Sequence, residues 1–197
     1  MTHSNKKINR LTPTNEDTIG PYYPISFCDG DSIDMTTAKN GIIFEPDGEK
    51  ITVTGCVKDI NGNLANGVLL EFWQANAKGV YSTPDNMGDP DIDPWFTGYG
   101  RHRTMNGNFS LKTIKPGRCG DRAPNITLTI FSDGIMRVVT QLFFENDPAN
   151  DQDPLLQVVP EDLRERLMIK NTGKNKYYIE IIMAGENETP FFDDLLS

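Results

Sequence analysis

The sequence predicts an all-β fold: a β-sandwich with long loops, an extended N-terminal arm and one short peripheral helix. Three observations point to it. Glycine (17) and proline (13) are scattered along all 197 residues, so turns recur throughout. The apolar stretches are short and alternate with period two more often than with helical period. β-Branched and aromatic residues dominate those stretches, which favours pleated strands. Many short strands separated by glycine and proline turns bury their apolar faces as two packed sheets.

The elements follow in order. Residues 1–50 carry no regular pattern and form an extended arm and loops, with turns at Thr12-Pro13 and Gly20-Pro21-Tyr22-Tyr23-Pro24. Residues 51–57 alternate cleanly and give the first strand; the turn-forming run Asp59-Ile60-Asn61-Gly62-Asn63 leads to a second over 67–74. Residues 79–103, rich in aspartate, glycine and proline, read as a long loop, where an active or assembly surface is to be sought. An Asn106-Gly107 turn opens a strand over 108–114, and residues 125–131, 138–144 and 177–183 complete a set of at least six. Only residues 161–170 read as helix: Pro160 suits a first turn, acids follow it, and Leu163 and Leu167 share a face. One domain holds everything, with the arm over 1–50, the sandwich core over 51–185 and a tail over 186–197.

Composition narrows the function. A 37% hydrophobic chain can bury a real core, and a net charge of −9 argues against tracking nucleic-acid phosphates or an anionic membrane. No apolar run approaches a bilayer span and Met1 to Arg10 is polar, so a cytoplasmic protein is expected. The three cysteines (Cys28, Cys56 and Cys119) are widely spaced and are expected as reduced thiols. Only two histidines exist; with His3 in the polar terminus and no second one at ligand spacing, His102 on its own cannot build a multi-imidazole metal centre. His102, flanked by Arg101 and Arg103, is expected at the surface. The run Asp89-Pro90-Asp91-Ile92-Asp93 hints at calcium, but the sixth and twelfth loop places hold Pro94 and Gly100, so a solvated acidic loop is expected.

The run Glu71-Phe72-Trp73-Gln74-Ala75-Asn76-Ala77-Lys78-Gly79-Val80-Tyr81 resembles the intradiol ring-cleavage dioxygenase family. So, in register, do Thr18-Ile19-Gly20-Pro21-Tyr22, Asp93-Pro94 with Phe96 to Arg101, Thr113 to Gly117, and Thr140 to Phe144. The resemblance implies a β-sandwich, in agreement with the strand count. It also implies a ferric ion held, in active members, by two tyrosines and two histidines, since hard phenolate oxygens suit that oxidation state. Tyr81 matches the first tyrosine. Cys119 stands where the second is expected, and Asn125 and Thr127 stand where the histidines are expected. Arg122 matches an arginine that lies near the metal.

With three of four ligands replaced, these five residues read as a vestigial site, and the chain resembles the iron-free α chains of the family's two-chain enzymes. The tail, Gly185 to Thr189 with Phe191-Phe192-Asp193, carries the same resemblance. It implies no metal bound by this chain, Fe(III) in a homologous β subunit, and an αβ hetero-oligomer acting on a small aromatic acid. Thr18, Gly20, Pro21 and Tyr22 would line the pocket at the partner's site, and the isolated chain would be inactive. Asp133 replaces an arginine expected at the pocket mouth, with Arg137 the nearest base. The alternative from another class is a non-enzymatic β-sandwich binding module.

Overall fold

The computed structural model describes residues 33–37, 45–132 and 136–192. Within them lie β1 (Ile33–Asp34), β2 (Lys50–Lys58), β3 (Leu69–Trp73), β4 (Tyr99–Arg103), β5 (Asn108–Ile114), β6 (Asn125–Ser132) and β7 (Met136–Phe144). Two short helices follow, α1 (Pro154–Val158) and α2 (Glu161–Arg164), before β8 (Met168–Gly173) and β9 (Lys176–Ile182). The strands hydrogen-bond in the order β1-β5-β2-β9-β8-β7-β6-β3-β4.

This ribbon folds on itself. Its middle joint, between β7 and β8, consists of two paired positions only, Phe143↔Met168 and Phe144↔Ile169. So narrow a joint lets the two halves turn face to face. At the far ends β1 meets β4: Gly100 has no Cβ, and one there would collide with Ile33 and Met35. The result is a nearly closed β-sandwich, the fold class the alternation predicts. Val53, Leu111, Ile179 and Ile181 of one half face Leu70, Phe72, Leu128, Ile130 and Leu142 of the other in a single buried cluster. Each such side chain contributes about 1.5–3 kcal/mol by leaving water.

Three strands escaped the sequence reading. The first, β1, is two residues long. In β4 the inward positions are Gly100 and His102, which carry no apolar signal. His102 is therefore not on the surface: only 1% exposed, it sits opposite Leu70 because the period-two geometry that turns Arg101 and Arg103 outward turns it inward. The third is β8, read as the end of a helix. The predicted helix over 161–170 is α helix only over Glu161–Arg164, with a tight turn over Glu165–Leu167 and then strand. Leu167 enters a second cluster with Ala123, Phe143, Leu156 and Val159, while Ile169 enters the main one. Two cores on opposite faces cannot both be reached by one helical stripe. A second short helix, α1, precedes it, capped by Asp153.

The acidic loop also differs from expectation at one position. Asp93 is buried, accepting the backbone N–H groups of Asp47 at 2.9 Å and Trp95 at 2.8 Å. It ties the loop down, while Asp89 and Asp91 remain solvated. Among the described residues no helix is long and apolar enough to cross a membrane. Cys56 and Cys119 are free thiols, and Cys28 lies outside the described residues.

Candidate functional site

On the outer face of the β4-β3-β6-β7 half, register brings side chains into rows. Tyr99, Trp73, Thr127 and Gln141 are successive cross-strand partners, and Arg101, Glu71 and Thr129 form the next row. Cross-strand neighbours on one face sit within side-chain reach. Trp73 is 38% exposed, so this face is not sealed by its own sheet.

Two loops lean over the row. The first is shaped by Asn76, whose Oδ1 accepts the N–H groups of Lys78 (2.9 Å) and Val80 (3.0 Å) while its Nδ2 donates to the Asp91 carbonyl (2.8 Å). That turn aims Tyr81 back at Trp73, their ring centroids 5.0 Å apart at an interplanar angle of 60°. The second loop follows β5. A Cβ on Gly79, which has φ +84°, would strike the Arg118 carbonyl, and one on Gly117 would strike the Ala77 carbonyl. Glycine at both places lets the two backbones touch and sets Cys119 and Arg122 beside Tyr81.

Asp153 supports this second loop from beneath. Fully buried (0% exposed), its Oδ2 accepts from Arg122 Nε at 3.0 Å and from the Ala123 N–H at 2.8 Å. Its Oδ1 caps α1 through the Leu155 and Leu156 N–H groups at 2.9 and 3.0 Å. Arg122, held from one side, donates from the other to Gln141. On β6, Asn125 donates through Nδ2 to the Ala123 carbonyl at 2.7 Å. Its Oδ1 is buried and has no hydrogen-bond partner. Thr127, two residues on, shares its face and lies opposite Trp73.

The structure thus brings Tyr81, Cys119, Arg122, Asn125 and Thr127 to one end of this face. Thr18, Gly20, Pro21, Tyr22 and Asp133 lie outside the described residues. Sequence reasoning missed Asp153 and Gln141, which position Arg122. It also missed the neighbouring network in which Tyr99 Oη (2.9 Å) and the Arg101 guanidinium donate to Glu71. The period-two reading of β3 and β4 was the signal that could have found it.

Burial pushes the Tyr81 phenol above its ordinary range and Cys119 adds to this, while Arg122 pulls the other way; the net direction is up, so the proton stays on at neutral pH. Tyr99 is pushed up to about 12, by burial first and then by the hydrogen bond it donates to Glu71. The residues do not fit a ferric ion. They offer one protonated phenol, one thiol and two neutral oxygens, with no imidazole and no carboxylate. Among the described residues no group of three or more His, Cys, Asp and Glu side chains could hold a metal. Two surface clefts lie elsewhere: one of about 260 Å³ beside Asp91 and Trp95, and one of about 410 Å³ over Met168, Tyr178 and Ile182. Neither contains a predicted site residue.

Comparison with known proteins agrees with this architecture. The Dioxygenase family model matches residues 19–184. Over 196 residues the chain is 32% identical to the protocatechuate 3,4-dioxygenase alpha chain of Burkholderia cepacia, spanning 93% of this chain and 98% of that one. It is 38% identical to the beta chain of the same enzyme in the same organism over 168 residues, 77% of this chain and 70% of that one. Among solved structures it resembles the dioxygenase domain of a dioxygenase–carbohydrate-binding fusion protein from Streptomyces sp. SirexAA-E, with a TM-score of 0.56 and 27% identity over 87% of this chain and 97% of that one.

Proposed function

We propose, from the premise that this chain belongs to the intradiol dioxygenase family, that it is the iron-free α subunit of a protocatechuate 3,4-dioxygenase. Its partner is a homologous β subunit carrying Fe(III), in an αβ hetero-oligomer that cleaves protocatechuate with O2 to 3-carboxy-cis,cis-muconate. The observation that carries this reading is the pairing of two facts. The α-chain likeness runs nearly end to end. Yet three positions of the resembled ligand set are Cys119, Asn125 and Thr127, which suit no hard trivalent cation.

In this reading the chain's work is structural at a shared pocket. Thr18, Gly20, Pro21 and Tyr22 wall the partner's site: a Gly-Pro corner allows close backbone approach, and Thr18 adds a hydroxyl. Enclosure excludes water from the reacting ring. Tyr81, Cys119, Arg122, Asn125 and Thr127 are the vestige of a metal site, and the assembly works in the cytoplasm.

Co-expression with the candidate β chain tests it. The two should co-purify, iron should scale with the β chain alone, and oxygen uptake on protocatechuate should require both. Substantial ring cleavage by the chain on its own overturns the assignment.

A further inference from the structure

Three Asn-Gly pairs lie among the described residues: Asn61-Gly62, Asn66-Gly67 and Asn106-Gly107. Their local chemistry is the same. Each asparagine is exposed, and each glycine holds the left-handed conformation, with φ of +79°, +74° and +69° in that order. They differ in the glycine N–H. That of Gly62 donates to the Asp59 carbonyl at 3.0 Å, and that of Gly67 to the Thr104 carbonyl at 2.9 Å. Among the described residues the Gly107 N–H has no acceptor. Gly107 is also buried: a Cβ there would stand 2.9 Å from Leu64 Cβ and 3.0 Å from the Val57 carbonyl oxygen. An N–H left unpaired in such a place is costly, and native folds leave few of them.

That nitrogen sits next to an amide carbon it can attack, and an intramolecular nucleophile needs only orientation. Once hydroxide takes its proton, the Gly107 nitrogen bonds to Asn106 Cγ and the Cγ–Nδ2 bond breaks. Ammonia leaves with a proton drawn from water, which restores the hydroxide. Water then opens the succinimide at either carbonyl, leaving aspartate or isoaspartate; nothing is oxidised or reduced. At Gly62 and Gly67 the same attack must first break a hydrogen bond. At Gly107 there is none to break, and ring closure removes the unpaired donor.

The position matters to the fold. This turn carries the chain from β4 in one half of the sandwich to β5 in the other, and the Gly107 carbonyl accepts the Val57 N–H at 2.7 Å. Isoaspartate lengthens the backbone within the turn, and either product adds a negative charge to a chain of net charge −9.

We propose that Asn106 is a self-modification site, converting to aspartate and isoaspartate through the Gly107 succinimide well ahead of the other two pairs. The inference concerns this chain alone and is independent of the subunit reading.

The test ages the purified full chain at mildly alkaline pH in heavy-oxygen water and measures the label at each asparagine by mass-spectrometric peptide sequencing. Asn106 should acquire label at least about fivefold faster than Asn61 or Asn66, the factor that one net hydrogen bond is worth. In guanidinium chloride the lead should disappear, because the unfolded chain presents every glycine N–H to water. Asn40-Gly41 lies outside the described residues and is read separately in the same map. Comparable rates at the three pairs in the folded chain, a faster rate at Asn61 or Asn66, or a lead of Asn106 that persists in guanidinium chloride overturns the site. Failure to co-purify with a β chain would not touch this result, and failure here would leave the subunit reading intact.

Discussion

Replacing Asp153 with alanine tests the support beneath the site. The carboxylate accepts four donors and is fully buried, so the substitution has three separable consequences. Loss of the α1 cap costs about 1 kcal/mol. The Ala123 N–H, buried beside Asn125, loses its acceptor for roughly 1–3 kcal/mol. Arg122 loses its ion-pair partner but keeps Gln141 and is itself part exposed, so this third loss is the smallest, under about 1 kcal/mol after solvent screening. The sum is roughly 2–5 kcal/mol, which for a chain of this size lowers Tm by about 4–20 °C. Circular dichroism melts of Asp153→Ala and Asp153→Asn measure it; the asparagine keeps one acceptor oxygen and should lose about half as much. If Asp153→Ala melts within about 2 °C of the parent chain, the carboxylate does not carry the loop and the account of Arg122 placement fails.

Two further outcomes follow from the same geometry. In a spectrophotometric titration Tyr81 and Tyr99 should ionise later than ordinary tyrosines, Tyr99 near pH 12. Because their folded pKa lies above the unfolded value of 10.0, the stability they add is complete below that pH and is lost as pH rises through the folded value; a melting temperature that climbs from pH 10 to 12 would contradict this. A triple variant, Cys119→Tyr with Asn125→His and Thr127→His, should retain ferric ion through dialysis where the parent chain loses it, as measured by elemental analysis. Equal iron in both would show that donor identity does not decide occupancy.

Much of the fold was legible in the sequence because strand geometry is written in alternation. The 51–57 pattern became β2, and 108–114 became β5 with the same ends. Where the inward positions were not apolar the signal vanished: β4 turns Gly100 and His102 to the core, and so escaped. The 161–170 stretch misled for a different reason. Leu163 and Leu167 have helical spacing, but Ile169 belongs to the opposite core, and only the packing of two clusters separates them.

The site divides the same way. Residue identity alone decided that Cys119, Asn125 and Thr127 stand where a phenol and two imidazoles are expected. That Asp153 holds Arg122 across 31 residues, that Gly79 and Gly117 let two loops meet, and that Asn125 Oδ1 ends without a donor were decided by the tertiary structure. The physical reason is that donor chemistry is a property of each side chain, whereas its partners depend on which strands lie side by side and which loops close over them.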